Sequence, residues 1–211
     1  FTISTRTYLK QQDFAATNRL VAYAEPLASL AAANGAPYPA RYLERGWTYL
    51  MANHTHDANG GCAPDVVCRD MEYRYAKASD IGDIVTEDAM AYLARSLRPG
   101  ADGPEALRLV VYNPLPFERD AVVALTLEVP RMIAQAGAAL AGPDGAAVDR
   151  QVLGSEPSSV FVDSPWEVPT ILDTRSVRMY ARVRGLPALG YRSYAIVPEA
   201  AAPRDRRTLV T

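Results

Sequence analysis

The sequence predicts an α+β chain, with an antiparallel three-helix bundle over residues 1–101 followed by part of an antiparallel β-sandwich over residues 102–211. Three observations carry this reading. Apolar residues recur every three or four positions as far as about residue 97, and beyond about residue 107 the period falls to two. Between them, Arg98-Pro99-Gly100-Ala101-Asp102-Gly103-Pro104 concentrates the residues that stop helices and make turns.

Taken in order, Leu20, Tyr23, Ala24, Leu27, Leu30 and Ala31 share one face of a helix over residues 12–33, which Gly35 and Pro37 end. Leu43, Trp47 and Leu50 predict a second helix running from about residue 39 into the region of His56, with His54 continuing its apolar face. The third and longest, over residues 65–97, carries Met71, Tyr75, Ala78, Val85, Ala89 and Leu93 close to a 3.6-residue repeat. Short turns between the three favour antiparallel neighbours. Past the linker, β-branched and aromatic runs predict strands at 107–112, 121–129, 148–153, 176–183 and 191–197, separated by Pro143-Asp144-Gly145 and Leu186-Pro187-Ala188-Leu189-Gly190. Residues 134–140 read as loop plus strand. Residues 154–168 read as a loop, whose Phe161, Pro165 and Trp166 either pack against the neighbouring bundle or stack on sugars.

Composition excludes several function classes. The net charge is -2 and the pI about 5.7, and the arginines are scattered, Arg204, Arg206 and Arg207 falling on a solvated tail, so there is no concentrated basic surface for nucleic acid. No apolar run approaches the roughly 18 residues of a membrane span, and no leader precedes the chain, so a cytoplasmic location is expected. Cys62 and Cys68 are spaced unlike a paired zinc motif and read as ordinary reduced thiols.

Chemistry is concentrated in Asn53-His54-Thr55-His56-Asp57-Ala58-Asn59-Gly60-Gly61-Cys62, which holds both histidines beside an acid and two glycines. Imidazole and carboxylate bind zinc through N and O, and glycines let backbone approach a ligand. If the second helix persists here, two residues turn roughly 200°, so the imidazoles point apart and only one is a candidate ligand. The residues alone leave two alternatives: a metal or sugar site, or a helix end at His56 and Asp57 with His54 half-buried. A His-x-His pair on a metallohydrolase strand is disfavoured because Ala58-Asn59-Gly60-Gly61 continues a strand poorly, and the metallo-β-lactamase pattern fails because it needs an acid where Ala58 stands. Asp70 and Glu72, two apart on one helix, face different directions and do not share a site.

The surroundings add a resemblance. Tyr49, the 53–57 motif, Gly60-Gly61-Cys62, Asp65 and Arg69-Asp70-Met71-Glu72-Tyr73-Arg74 resemble the middle of bacterial α-mannosidases of glycoside hydrolase family 38. Ser4-Thr5-Arg6-Thr7-Tyr8-Leu9-Lys10 and Tyr23-Ala24-Glu25-Pro26-Leu27-Ala28 are similar to earlier segments of that family. Val111-Tyr112-Asn113-Pro114-Leu115-Pro116-Phe117-Glu118-Arg119 and Leu186-Pro187-Ala188-Leu189-Gly190-Tyr191 are similar to its β domain. The resemblance implies a middle three-helix bundle joined to the start of a C-terminal β domain. It implies that His56 is a zinc ligand and that Asp57 contacts sugar hydroxyls. The implied reaction is retaining hydrolysis of terminal α-mannosyl linkages, of mannoside or mannosylglycerate type, by two carboxyl groups roughly 5 Å apart.

The family's other zinc ligands, its nucleophile and its acid/base belong to an N-terminal α/β domain upstream of the matching segment. The chain begins at Phe1 without methionine and ends in Leu209-Val210-Thr211, so an internal fragment is expected, with no catalytic residue of its own, inactive and zinc-free by itself. Its expected partners are a mannoside substrate, that N-terminal domain of the same chain and a possible second copy across an apolar bundle face; neither nucleic acid nor membrane is expected. The alternative is a non-catalytic carbohydrate-binding or interaction module in which His56 and Asp57 are structural.

Overall fold

A computed structural model describes residues 4–97, 106–133, 137–164 and 167–198. The chain divides into two compact units, Phe1–Leu97 with Pro114–Pro116, and Arg98–Asn113 with Phe117–Thr211. The predicted linker at 98–104, Pro165, Trp166 and the tail arginines lie outside the described residues.

The first unit is helical, with α1 (Thr7–Asn18), α2 (Glu25–Ala33), α3 (Ala40–Met51), α4 (His56–Gly60) and α5 (Asp65–Arg95). The first predicted helix starts five residues earlier than expected and runs through a π-helical stretch, Arg19–Ala24, between α1 and α2. Pro26, at the start of α2, has no N–H and its ring crowds the carbonyl four residues back, so the widened turn falls just before it. Gly35 ends α2 at φ 101°, with bonds from Gly35 N to Ala32 O and from Ala36 N to Ala31 O, the paired closure that a left-handed glycine permits.

On α5, the predicted Met71, Tyr75, Ala78, Val85, Ala89 and Leu93 are all buried. Met71, Tyr75, Ala78 and Val85 share one core with Leu9 and Ala16 of α1, Leu20, and Leu43 and Leu50 of α3. Leu50 is fully buried, so truncating it to alanine would cost about 2–5 kcal/mol. One expectation fails here: α3 stops at Met51 instead of continuing to His56. The buried Asn53 turns its side-chain amide to donate to Met71 O (3.0 Å), and Thr55 is extended at ψ 140°, so the helix cannot carry His54 on its apolar face.

Among the described residues, the second unit holds six antiparallel strands: β1 (Arg108–Asn113), β2 (Arg119–Pro130), β3 (Ala138–Ala141), β4 (Arg150–Ser164), β5 (Glu167–Leu186) and β6 (Gly190–Pro198). They form two sheets, ordered β1-β6-β3 and β2-β5-β4. Val129 of β2, Leu140 of β3 and Val177, Met179 and Ala181 of β5 share a core on which Leu109 of β1 and Ile196 of β6 pack. Both sheets therefore line one interior, which makes the unit a sandwich. The alternation along β5, with every second residue from Val177 to Val183 buried, is the period-two signal realised. The buried Asn113 holds the turn after β1 by donating to Phe117 O (2.8 Å) and Pro187 O (3.0 Å).

Within the loop expected at 154–168, the described residues 154–164 and 167–168 are instead strand. β4 and β5 pair from Arg150↔Ala181 to Ser164↔Glu167, with register shifts beside Gly154 and Val162. Pro157 is compatible because β4 is an edge strand, where a missing N–H breaks no ladder on the open side. Phe161 in this arm is exposed, not packed away. No helix among the described residues is long and apolar enough to cross a membrane.

Candidate functional site

The 53–62 segment is a connection between α3 and α5 that folds as one helical turn. Thr55 is extended and its carbonyl accepts the first helical bond, from Asn59 N at 2.9 Å. His56 and Asp57 open α4, and Gly61 closes it in the left-handed conformation at φ 83°. Gly61 N donates to Ala58 O (3.0 Å) and Cys62 N to Asp57 O (3.2 Å), so the last turn is sealed by the same paired closure as α2. Gly61 is thus required by backbone conformation, and the expectation that both glycines exist for close approach to a ligand misses this role.

The two histidines have different surroundings. His54 lies on the surface with Nε2 2.7 Å from Oδ1 of Asp13 on α1, the side chains being 40% and 24% exposed. It is a tether between the connection and α1, where half-burial on an α3 face was expected. His56 is 94% exposed, with Nε2 3.2 Å from Oδ1 of Asp57, itself 68% exposed. The sequence-predicted pair therefore stands together at the opening of α4, facing solvent, while His54 does not join it. Cys62 Sγ lies 3.5 Å from both the carbonyl and Oδ1 of Asp57.

Polar bonds fix the connection at both ends. Asn53 donates to Met71 O and accepts from Arg74 Nη1 at 3.3 Å. The Tyr75 hydroxyl is buried near Asp13 and Asn53 without a hydrogen bond of good geometry. Burial foremost, and then the Asp13 carboxylate, push that phenol well above the usual tyrosine range. At the other end, Lys10 of α1 donates to Gly60 O (3.2 Å) and to Thr5 O (2.6 Å). The motif's histidines and acid could be singled out by residue type. Lys10 and Asp13 could not, because their partners lie 50 and 41 positions away.

Cys62 and Cys68 are free, the first exposed and the second buried beside Arg6, whose Nη1 donates to Cys68 Sγ and whose Nη2 pairs with Asp65 Oδ1 at 2.7 Å. Among the described residues, no group of three or more His, Cys, Asp or Glu could hold a metal ion. His56 therefore offers a zinc site one imidazole nitrogen, and a closed tetrahedral set would need donors beyond these residues.

The segment is similar to parts of known proteins. The family model described as "Alpha mannosidase middle domain" matches residues 2–93. A curated protein of Halalkalibacterium halodurans named "Putative mannosylglycerate hydrolase" is 31% identical over 110 residues, which is 52% of this chain and 12% of that protein. An α-mannosidase structure from Enterococcus faecalis shares the fold at a TM-score of 0.79 and 22% identity, covering 93% of this chain and 24% of that one. A protein in glycosyl hydrolase family 38 from the same organism does so at a TM-score of 0.77 and 23% identity, covering 92% and 24%. The chain spans well under two thirds of each of these proteins. Residues 2–93 are thus similar to the α-mannosidase middle domain, and the described fold is that of the two solved structures.

Proposed function

We propose that the chain serves a zinc-dependent retaining α-mannosidase that cleaves terminal α-mannosyl linkages, of mannoside or mannosylglycerate type. The observation that carries this reading is the adjacent, exposed pair of His56 and Asp57 at the opening of α4, inside the segment that matches the mannosidase middle domain. His56 would hold zinc through one ring nitrogen, and Asp57 would accept hydrogen bonds from ring hydroxyls. Bound zinc would supply orientation of two neighbouring hydroxyls and electrostatic support of the distorted ring.

The chain's own residues then have a limited task. The hydrogen-bonded connection presents imidazole and carboxylate at adjacent positions, which lowers the cost of orienting a sugar. The acid and the nucleophile of a retaining reaction, with carboxyl groups roughly 5 Å apart, come from outside these 211 residues. Accordingly, the chain alone is inactive and binds zinc weakly, and its partners are the sugar and the rest of the enzyme. The test is the stereochemistry of hydrolysis of an aryl α-mannoside by the intact protein, followed by proton NMR. Release of the α-anomer first supports the reading. Release of the β-anomer, or turnover by the 211-residue chain alone, contradicts it.

A further inference from the structure

Lys10 is one of two lysines in a chain with 22 basic residues, and its partners are unusual for an ammonium. Lys77 pairs with Asp80 at the surface (2.8 Å), as solvated lysines commonly do. Lys10 instead is half-buried and donates to two main-chain carbonyls, Thr5 O and Gly60 O. Gly60 is the last residue of α4, so the positive charge sits at the carbonyl end of the turn that begins with His56. A cation there bonds to the carbonyl of the last helical residue and opposes the partial negative charge of the helix end.

Gly61 shows how closely this contact is fitted. A Cβ at Gly61 would lie 2.9 Å from Lys10 Nζ, 2.9 Å from Thr5 O and 3.3 Å from Thr5 Cγ2. The backbone of the turn therefore packs flush on the lysine and on the segment before α1. A compact ammonium fits this gap, whereas a planar guanidinium with five donors needs more room and more acceptors. A one-turn helix has few bonds of its own and would open readily if this outer support were lost. Asp13 with His54 holds the start of the connection; Lys10 holds its end, and His56 and Asp57 lie between.

We propose that Lys10 is a positioning residue that clamps the C-terminal end of α4 and so holds His56 and Asp57 in place for metal and sugar. The inference rests on the function proposed above for that pair. Lys10 bonds to main-chain carbonyls and acts through the backbone of Gly60 and Gly61.

The test uses Lys10→Met and Gly61→Ala in the intact protein, with Lys77→Met as a control. Amide hydrogen exchange is read at Asn59, at position 61 and at Cys62, whose N–H groups close the turn, and zinc affinity is read by competition with a chromophoric chelator. In both test variants the clamp predicts exchange faster at these amides by about tenfold more than at α5, and zinc affinity about tenfold weaker, the scale of effect known for residues that orient a metal ligand. Lys77→Met should match wild type. Unchanged exchange in Lys10→Met overturns the clamp even if wild type binds zinc normally. Faster exchange with unaltered zinc affinity leaves the contact structural and overturns the positioning role. Wild-type protein that binds no zinc sinks the proposed function itself, and the positioning role with it, whatever the exchange shows.

Discussion

Nε2 of His54 lies 2.7 Å from Oδ1 of Asp13, which commits one of the chain's two imidazoles to joining the 53–62 connection to α1. His56, two residues on, lies on the surface with Nε2 3.2 Å from Oδ1 of its neighbour Asp57. The two substitutions should therefore separate stability from function. His54→Ala should lower unfolding free energy by about 1 kcal/mol, a value limited by the solvent exposure of the pair. His56→Ala should stay within about 0.5 kcal/mol of wild type, as surface substitutions do. Urea denaturation midpoints check both.

Gly61→Ala should destabilise the protein. The left-handed conformation at φ 83° costs about 1–2 kcal/mol for a residue with a Cβ, and that Cβ also meets Lys10 Nζ and Thr5 O at 2.9 Å. A melting temperature several degrees lower is expected, while Gly145→Ala, at φ 77° with open space around it, should show only the conformational part.

Tyr112 and Tyr191 face each other across β1 and β6, their rings 5.7 Å apart. Burial first, and then Tyr191, push the Tyr112 phenol up to about 12. Because the folded value is raised above the ordinary 10, the stabilisation is complete below pH 10 and is lost as pH rises towards 12. Denaturation midpoints should fall over that window, and in Tyr112→Phe the fall should be smaller.

The thiols should react at very different rates. Cys62 is exposed and Cys68 buried, so a thiol reagent should label one cysteine rapidly in the native protein and the second only on unfolding. Mass spectrometry of the labelled peptides checks the assignment.

Much of the architecture is legible in the sequence because it rests on local signals. The helical face of Met71, Tyr75, Ala78, Val85, Ala89 and Leu93 and the alternation of Val177, Met179, Ala181 and Val183 are burial patterns written directly in residue order. Gly35 reads as a helix stop because a left-handed closure favours glycine. What escapes depends on partners distant in the chain. α3 ends at Met51 because Asn53 bonds to Met71 O, 18 positions on, and no pattern of apolar residues contains that bond. The β4–β5 arm reads as a loop because Ser155, Pro157, Ser158 and Ser159 are poor strand formers, yet pairing with β5 supplies their order. Within the site, His56 and Asp57 stand out by residue type, whereas the role of Lys10 shows only in the carbonyls that it reaches.

The most direct test of the account is α-mannosidase activity of the intact protein, measured with and without a chelator in wild type and in His56→Ala. Wild-type activity should fall on chelation, return with added zinc and be lost in His56→Ala despite unchanged stability. Full zinc-dependent activity in the variant would contradict this, and would leave the His56–Asp57 pair as a structural opening to α4.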